Sequence, residues 1–224
     1  MVVLAWILGF VPGIIWLIYF YKKDKYEPEP LGWVILVFIF GGVVVYPIAL
    51  IEGALTSSMG IEVPESAADA AAVSWVIAGL IEEGAKLAVV LVLVYHRHVF
   101  DEPMDGIVYS AAAALGFASV ENVIYIKEFG ATVILVRGPL ATLGHMLFSC
   151  IWGYALGKAK FDRARRLSIM AKGFVLSAFF HGLYDFLIFT NILAAFSVYL
   201  VSVVLWKMMV RMVSEAQAKS PFAK

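Results

Sequence analysis

Long apolar runs separated by short polar breaks dominate this chain. Most of them approach or exceed the ~20 residues that a helix needs to cross a bilayer. The runs that we predict to be helical segments are 2–20, 31–51, 70–95, 104–126, 131–157, 169–190 and 192–213. The breaks are too short to bury a core of their own. The pattern therefore predicts an all-α, polytopic transmembrane bundle of about seven spans, in which residues 1–224 form one integral membrane domain.

Lysine and arginine are concentrated in every second break, after the first, third, fifth and seventh segments. The break at 21–30 contains three lysines and the loop at 158–166 is strongly basic, whereas 52–69 contains neither Lys nor Arg. Cytoplasmic loops carry an excess of these residues. The alternation predicts an N-terminus outside and a C-terminus in the cytoplasm. The first segment lacks a preceding basic residue and a small-residue cleavage site, so we interpret it as an anchor and not as a signal peptide.

Composition supports the membrane class and excludes some partners. The chain is 62% hydrophobic with a mean hydropathy of +0.91, well above soluble domains. Its 17 basic and 17 acidic residues cancel, so no overall charge attracts nucleic acid. The expected surroundings are the lipid bilayer. Cys150 is the only cysteine, and an internal disulfide is therefore excluded.

Several ionisable and polar residues interrupt the apolar segments. They are Glu82, Glu83 and Lys86 in the third, Glu121 and Asn122 in the fourth, Arg137 and His145 in the fifth, and His181 and Asp185 in the sixth. An ionisable group in hydrocarbon is costly and usually serves function. At ~1.5 Å per residue, Glu83 and His181 each lie roughly 18 Å from the predicted cytoplasmic ends of their segments. This common depth, from the bilayer middle toward the outer surface, predicts that the clusters share a site.

Two adjacent glutamates precede Lys86, although a structural ion pair with this lysine requires only one carboxylate. Glu82 and Lys86 are spaced i,i+4 and can pair. Neighbouring helical side chains point about 100° apart, so we expect that both carboxylates cannot face one partner equally. Glu83, or Glu82 if Lys86 reaches toward the surface, is then free to face a site. The residues alone do not decide between the two glutamates.

The other polar residues have structural alternatives when each is taken alone. The presence of Glu121 in an apolar segment can be explained by a hydrogen bond between packed helices, and that of His145 by a buried hydrogen bond. His181 and Asp185 are one turn apart, so Asp185 can share a metal with the imidazole or orient it. We interpret His96 and His98, which flank Arg97 at a predicted helix end, as part of a solvated loop.

Three motifs on successive segments carry a family resemblance. Glu82-Glu83-x-x-Lys86, Phe117-x-x-x-Glu121 and His181-x-x-x-Asp185 occur in this order, with His145 between the last two. The chain resembles the PrsW-type intramembrane proteases, which belong to a wider group with the CAAX prenyl endopeptidases and related bacteriocin-immunity proteins. Lys86 and Glu121 stand where CAAX-type enzymes have Arg and His, which favours the PrsW type. The resemblance covers a catalytic core at about 70–190.

The resemblance implies a location, a substrate and a partner. The chain is expected in the bacterial plasma membrane as a multi-pass protein. It is expected to cleave a single-pass anti-sigma factor near the extracytoplasmic surface, as the first cut of regulated intramembrane proteolysis. A site-2 protease is expected to act on the product.

Peptide hydrolysis in a membrane requires water, a base and stabilisation of the oxyanion. We predict a Zn²⁺ ion bound by His145 and His181 with Glu121 as a third ligand, because Zn²⁺ lowers the pKa of bound water to about 7. Glu82 or Glu83 is the predicted base, and Asp185 is predicted to orient His181. Asn122 or Arg137 is expected to assist the oxyanion. A Glu–His pair that activates water without a metal remains an alternative.

Two other functional classes fit buried carboxylates and histidines. A proton- or ion-coupled transporter or channel would use them as a relay, but no inverted repeat or pair of broken segments is visible in the sequence. A membrane receptor or structural protein would use them as a polar core network. Bound transition metal would distinguish the hydrolase from both.

Overall fold

The computed structural model describes residues 2–61, 63–192 and 194–223; Met1, Glu62, Leu193 and Lys224 lie outside these ranges. Every regular element in the described ranges is helical, which confirms the all-α prediction. The elements are α1 (Val2–Tyr21), α2 (Leu31–Val43), α3 (Val45–Met59), α4 (Ala67–Ala71), a π-helix (Ala72–Glu82), α5 (Glu83–Leu93), α6 (Pro103–Phe129), a 3₁₀ turn (Ala131–Val133), α7 (Ile134–Arg137), α8 (Ala141–Phe161), α9 (Arg166–Phe189) and α10 (Ala194–Ala218).

Five helical stretches in the described ranges are long and apolar enough to cross a membrane. They are Val2–Tyr21, Leu31–Met59, Pro103–Phe129, Arg166–Phe189 and Phe196–Ala218. The pair Ala131–Arg137 and Ala141–Phe161, bent by 43°, brings the number to six if it is one span. The predicted segment 70–95 corresponds to α4, the π-helix and α5, which contain the three charged residues of the first motif. The count of seven and the orientation stay predictions.

Two boundaries differ from the predicted segments for local reasons. The second segment was expected to end at 51, but α3 continues to Met59 and ends at Gly60, whose φ of 71° is the left-handed conformation that favours glycine at a helix end. The fifth segment is interrupted between Arg137 and Ala141. Pro139 lies in this interruption, and proline cannot donate a helical hydrogen bond.

Helix α6 is the central element of the bundle. It packs against α8, α2 and α1 and is buried along most of its length. Small residues permit this close packing: a Cβ added to Gly106 would lie 2.1 Å from the carbonyl oxygen of Gly153 on α8. Close approach through small residues is how membrane helices gain packing energy. Because α6 is enclosed, Glu121 and Asn122 contact side chains of other elements, whereas Lys127 and Glu128 at its end are exposed.

Candidate active site

The nine predicted site residues form one connected network of contacts. A cavity of about 140 Å³ opens beside it. The cavity is lined by Glu82, Glu121, Tyr125, Arg137, Ala141, His145, Phe148, His181, Tyr184, Asp185, Ile188 and Phe189. Five helical elements therefore contribute polar groups to one space: the end of the π-helix, α6, α7, α8 and α9.

Lys86 is fully buried and contacts three groups at once. Its Nζ lies 3.0 Å from Oε2 of Glu82 and 2.9 Å from Oε1 of Glu83. It also lies 3.0 Å from Nδ1 of His145. The expectation that the two glutamates cannot share one partner is therefore wrong. A lysine reaches both its i−3 and i−4 neighbours and has three donors, so one ammonium serves both carboxylates.

Glu83 uses both of its carboxylate oxygens within the protein. Oε1 contacts Lys86 and lies 2.9 Å from Nδ1 of His181. Oε2 accepts hydrogen bonds from Ser149 at 2.7 Å, Trp152 at 2.8 Å and Ser177 at 3.2 Å. A carboxylate offers about four lone-pair sites. Glu83 is thus saturated by partners and has no free acceptor for a proton from water.

Glu82 differs from Glu83 because it borders the cavity. Its Oε2 lies 3.8 Å from Nδ1 of His145 and 4.0 Å from Nε2 of His181. Glu82, His145 and His181 form a group whose possible ligand atoms all lie within 4.8 Å of one another. Glu121 is not part of this group. The geometry therefore brings Glu82, and not Glu121, next to both imidazoles.

Glu121 instead connects His145 to Arg137. Its Oε2 lies 2.8 Å from Nε2 of His145 and 3.1 Å from Nη2 of Arg137. The Arg137 guanidinium stacks on the Tyr125 ring at 3.6 Å, and its Nε donates to Oδ1 of Asn122 at 3.2 Å. Asn122 is fully buried and borders no part of the cavity. Of the two predicted oxyanion donors, only Arg137 therefore faces the cavity.

His181 is held by Glu83 and not by Asp185. Its Nδ1 contacts Glu83, whereas Oδ2 of Asp185 lies 3.8 Å from Nε2. The Phe148 ring stacks on the imidazole with centroids 4.6 Å apart. With Nδ1 donating to a carboxylate, Nε2 keeps its lone pair and faces the cavity. Asp185 therefore shares the cavity side of the ring, and Glu83 has the orienting position that the sequence suggested for Asp185.

Two local features bring the glutamates to His181. Glu82 ends an 11-residue π-helix and Glu83 begins α5; π-helical turns are rare and occur frequently at functional sites. Gly79, one turn earlier, allows close approach to α9, because a Cβ there would lie 2.5 Å from the carbonyl oxygen of Ala178. Ala178 is one turn before His181. This contact sets the spacing of the two elements at the site.

Sequence reasoning missed the three side chains that donate to Glu83, and it also missed Glu52. Ser149 and Trp152 lie four and seven positions after His145, and Ser177 lies four before His181, so helical spacing could have identified all three. Glu52 was assigned to a loop, but it lies in α3 with one buried oxygen that has no hydrogen-bond partner. It is close enough to Lys86 to interact electrostatically. Glu52 would have been recognised only if the sequence had predicted that the second segment continues past residue 51.

The donor set of the ligand group suits a zinc ion. Two imidazoles and one carboxylate, with room for water, are a typical set for catalytic Zn²⁺. His181 also has the carboxylate-bound second nitrogen that is usual for metal-binding histidines. Lys86 contacts Glu82 and His145, so a positive charge already borders this group. The residue types therefore suit the metal, whereas His145 already has Nδ1 engaged by Lys86 and Nε2 by Glu121 and would have to exchange one of these contacts to bind the ion.

The site lies toward one end of the helices. His145 is four residues after the start of α8, about 6 Å along the axis, and His181 is eight before the end of α9, about 12 Å. Both helices extend more than 20 Å in the other direction, at about 1.5 Å per residue. In the predicted orientation the nearer ends face the outside.

Comparison with known proteins identifies the family. Residues 29–211 match the PrsW family intramembrane metalloprotease. Protease PrsW of Geobacillus kaustophilus (strain HTA426) is 40% identical over 209 residues, covering 93% of this chain and 90% of the relative. Protease PrsW of Bacillus subtilis (strain 168) is 38% identical over 182 residues, covering 80% of each. Protease PrsW of Clostridioides difficile (strain 630) is 31% identical over 208 residues, covering 90% and 86%.

No solved structure matches the chain. The family match covers most of the sequence and does not favour the transporter alternative. The apolar helices and the relatives indicate a multi-pass bacterial membrane protein. The protein therefore belongs to the PrsW family of intramembrane proteases.

Proposed function

We propose that the chain is a zinc-dependent endopeptidase that cleaves a single-pass anti-sigma factor near the extracytoplasmic surface, as the first cut before a site-2 protease. The observation that carries the catalytic part is the group of Glu82, His145 and His181 beside a cavity. The family description supports the metal. The position of the cavity near the ends of α8 and α9 supports a cut close to the membrane surface.

Glu82 is the proposed general base and Glu83 the positioning residue. Glu82 borders the cavity and is oriented by Lys86, so it can accept a proton from water as the hydroxyl attacks the peptide carbonyl. The same carboxyl then returns that proton to the leaving amine as the C–N bond breaks. Glu83 holds the His181 ring through Nδ1 and accepts no proton itself.

His145 and His181 would hold Zn²⁺, and the Glu82 carboxylate beside them stays unligated so that it can act as the base. When bound, Zn²⁺ lowers the pKa of a water ligand to about 7 and polarises the substrate carbonyl. Arg137 points a guanidinium toward the same cavity and can donate to the developing oxyanion. Its stacking on Tyr125 and its bond to Asn122 fix its direction before substrate arrives.

An apolar cavity of about 400 Å³ adjoins the catalytic one and shares Tyr125, Arg137 and Tyr184 with it. Its other walls include Phe129, Val136 and Leu140. Apolar pockets with few polar groups are typical binding sites. We propose that it receives apolar side chains next to the cleaved bond, which suits a substrate that is itself a membrane helix.

The contacts of Lys86 favour an alternative in which the same hydrolysis proceeds without a metal. Because its ammonium lies 3.0 Å from both Glu82 and His145, these groups already form a charge-compensated arrangement. Glu82 and a neutral histidine could then activate water without a metal. Metal content of the active protein separates the two types.

The test is cleavage in proteoliposomes that contain the purified protein and a single-pass anti-sigma factor from the same genome. The wild type should cut near the outer end of the substrate helix, as mapped by mass spectrometry. Glu82→Gln should be inactive, and the matched control Glu128→Gln, an exposed position on α6, should cut normally. Cleavage by Glu82→Gln would refute the catalytic assignment. A wild type that cuts other single-pass proteins but no anti-sigma factor would refute the substrate class.

A further inference from the structure

A second group of carboxylates lies at the opposite end of α6 from the active site. This acidic cluster consists of Asp24 and Glu29 from the break between α1 and α2, Glu102 just before α6, and Asp105 in its first turn. The possible ligand oxygens of Asp24, Glu102 and Asp105 all lie within 4.8 Å of one another. Asp105 and Glu121 are 16 residues apart on α6, so the two sites are separated by about 24 Å.

The cluster is buried and incompletely satisfied. Asp24, Glu102 and Asp105 are 3%, 1% and 0% exposed. Each has one buried oxygen without a hydrogen-bond partner: Oδ1 of Asp24, Oε2 of Glu102 and Oδ1 of Asp105. Buried polar atoms are rarely left without a partner. The side chain of Asp24 contacts that of Glu102, and the side chain of Asp105 contacts that of Glu29, so a proton or a cation has to lie between these carboxylates.

Within the part of the chain that the structure describes, no basic side chain pairs with these carboxylates. No Lys, Arg or His nitrogen of the described ranges lies within 4.0 Å of these carboxylates. Lys160 interacts electrostatically with Asp105, but its ammonium donates to the carbonyl oxygen of Tyr95. Unpaired buried charges are costly, so their charge has to be cancelled by an ion or by protons.

The remaining oxygens are fixed by the backbone and by a tyrosine. Oδ2 of Asp24 accepts from the Glu29 amide at 3.0 Å. Oδ2 of Asp105 accepts from the Asp101 and Glu102 amides at 2.6 and 2.8 Å. The Tyr109 hydroxyl donates to Oε2 of Glu29. Two of the three candidate ligands thus have one oxygen held by the chain and the other left free, which is a preorganised arrangement for a cation.

We propose that the acidic cluster binds one hard divalent cation, Ca²⁺ or Mg²⁺, through Asp24, Glu102 and Asp105. Carboxylate oxygens are the ligands that these ions prefer, and the absence of imidazole or thiolate among the three distinguishes the site from a zinc site. The ion would join the break between α1 and α2 to the start of α6. It would stabilise the helix that carries Glu121 without taking part in catalysis.

Protons are the alternative means of cancelling the charge. Burial and the neighbouring Glu102 carboxylate raise the pKa of Asp24 to about 8. Without an ion, the cluster can therefore retain protons at neutral pH. This alternative predicts a protein that does not respond to divalent cations, and the experiment below distinguishes the two.

The test is the thermal unfolding of the full-length protein in detergent, followed by tryptophan fluorescence after removal of metals by a chelator. Ca²⁺ or Mg²⁺ is then added at constant ionic strength. At a hundred times the dissociation constant, the midpoint should rise by on the order of 5 °C. The double variant Asp24→Asn, Glu102→Gln should lose this rise. The matched double variant Glu27→Gln, Asp101→Asn, which changes exposed acids in the same two breaks, should keep it.

A direct count of bound ions supports the proposal if a variant fails to fold. Equilibrium dialysis with radioactive calcium should find one ion per chain in both wild type and His181→Ala, because the latter alters only the catalytic group. Glu102→Gln alone should bind none. No midpoint rise and no bound ion in the wild type, or an unchanged rise in the Asp24→Asn, Glu102→Gln protein, would overturn the proposal.

Discussion

Oε1 of Glu83 lies 2.9 Å from Nδ1 of His181, a contact that joins residues 98 positions apart. Both side chains are almost completely buried. Because Glu83 also accepts from Lys86, Ser149, Trp152 and Ser177, it connects α5, α8 and α9. Glu82, its neighbour in sequence, borders the catalytic cavity instead. The two glutamates should therefore respond differently to mutation.

Glu83→Ala should destabilise the protein, whereas Glu82→Gln should only inactivate it. Removing Glu83 leaves Lys86 partly unpaired and His181 without its partner, and loss of one member of a buried pair costs about 3–5 kcal/mol. Glu82→Gln preserves the shape of a side chain beside a cavity. Thermal unfolding in detergent and cleavage in proteoliposomes should be measured on both. If Glu83→Ala keeps wild-type stability and Glu82→Gln unfolds early, the assigned roles are reversed.

The purified protein should contain about one transition metal per chain, most readily zinc. His181→Ala should lose both metal and activity. Asp185→Asn should bind metal more weakly, because it removes a negative charge whose Oδ2 lies 3.8 Å from the Nε2 of His181 that faces the cavity. Occupancy should fall as the pH is lowered, because imidazole binds metal only when unprotonated. Elemental analysis and a chelator titration provide the measurements.

The control for these histidine and aspartate variants is His98→Ala, since His98 is exposed near the end of α5. It should change neither metal content nor activity. Full activity in wild-type protein that contains no metal would instead support the mechanism in which Glu82 and a histidine activate water.

Gly79→Ala should impair cleavage through packing alone. The new methyl group would lie 2.5 Å from the carbonyl oxygen of Ala178, so the π-helix and α9 must separate and the contact between Glu83 and His181 must lengthen. Gly84→Ala is the matched control, because its methyl group would meet only the Phe174 ring at 3.8 Å. Cleavage rate and thermal midpoint should both fall for the first variant and stay near wild type for the second. Equal behaviour of the two would show that this close approach is dispensable.

The predicted orientation can be tested by cysteine labelling. A cysteine at Ser57 should react with an impermeant reagent on intact cells, and one at Ala164 only after permeabilisation. Both positions are exposed, and the native Cys150 is fully buried, so the unmodified protein should give little background. The reverse pattern would place the active site toward the cytoplasm and exclude cleavage of an external segment.

Charged residues in apolar segments made most of the site predictable. Lys86, Glu121 and His181 are conspicuous in sequence because hydrocarbon does not tolerate such groups without partners. Ser149, Trp152 and Ser177, which donate hydrogen bonds to Glu83, are ordinary residues in membrane helices and give no such signal. They could be identified only from their helical spacing to His145 and His181, after the segments had been assigned as helices.

The assignment of roles could not be predicted, because it depends on geometry. Helical spacing suggested that Glu82 and Glu83 would diverge, but the reach of Lys86 brings both to one ammonium. The roles of Glu121 and Asp185 depend on which ring nitrogen of His145 or His181 each carboxylate approaches. The packing of α6, α8 and α9 determines that approach. Likewise, the π-helix before Glu83 has no simple sequence pattern.

The position of Lys86 has a consequence for the order of events in the life of the enzyme. Its ammonium, 0% exposed, compensates one of the two negative charges of Glu82 and Glu83 from within the chain. A newly inserted bundle can therefore close around these carboxylates without waiting for an ion from the cell. If the proposed zinc requirement holds, assembly and activation are separate steps, and complete but inactive molecules can accumulate when zinc is scarce and become active when it is supplied.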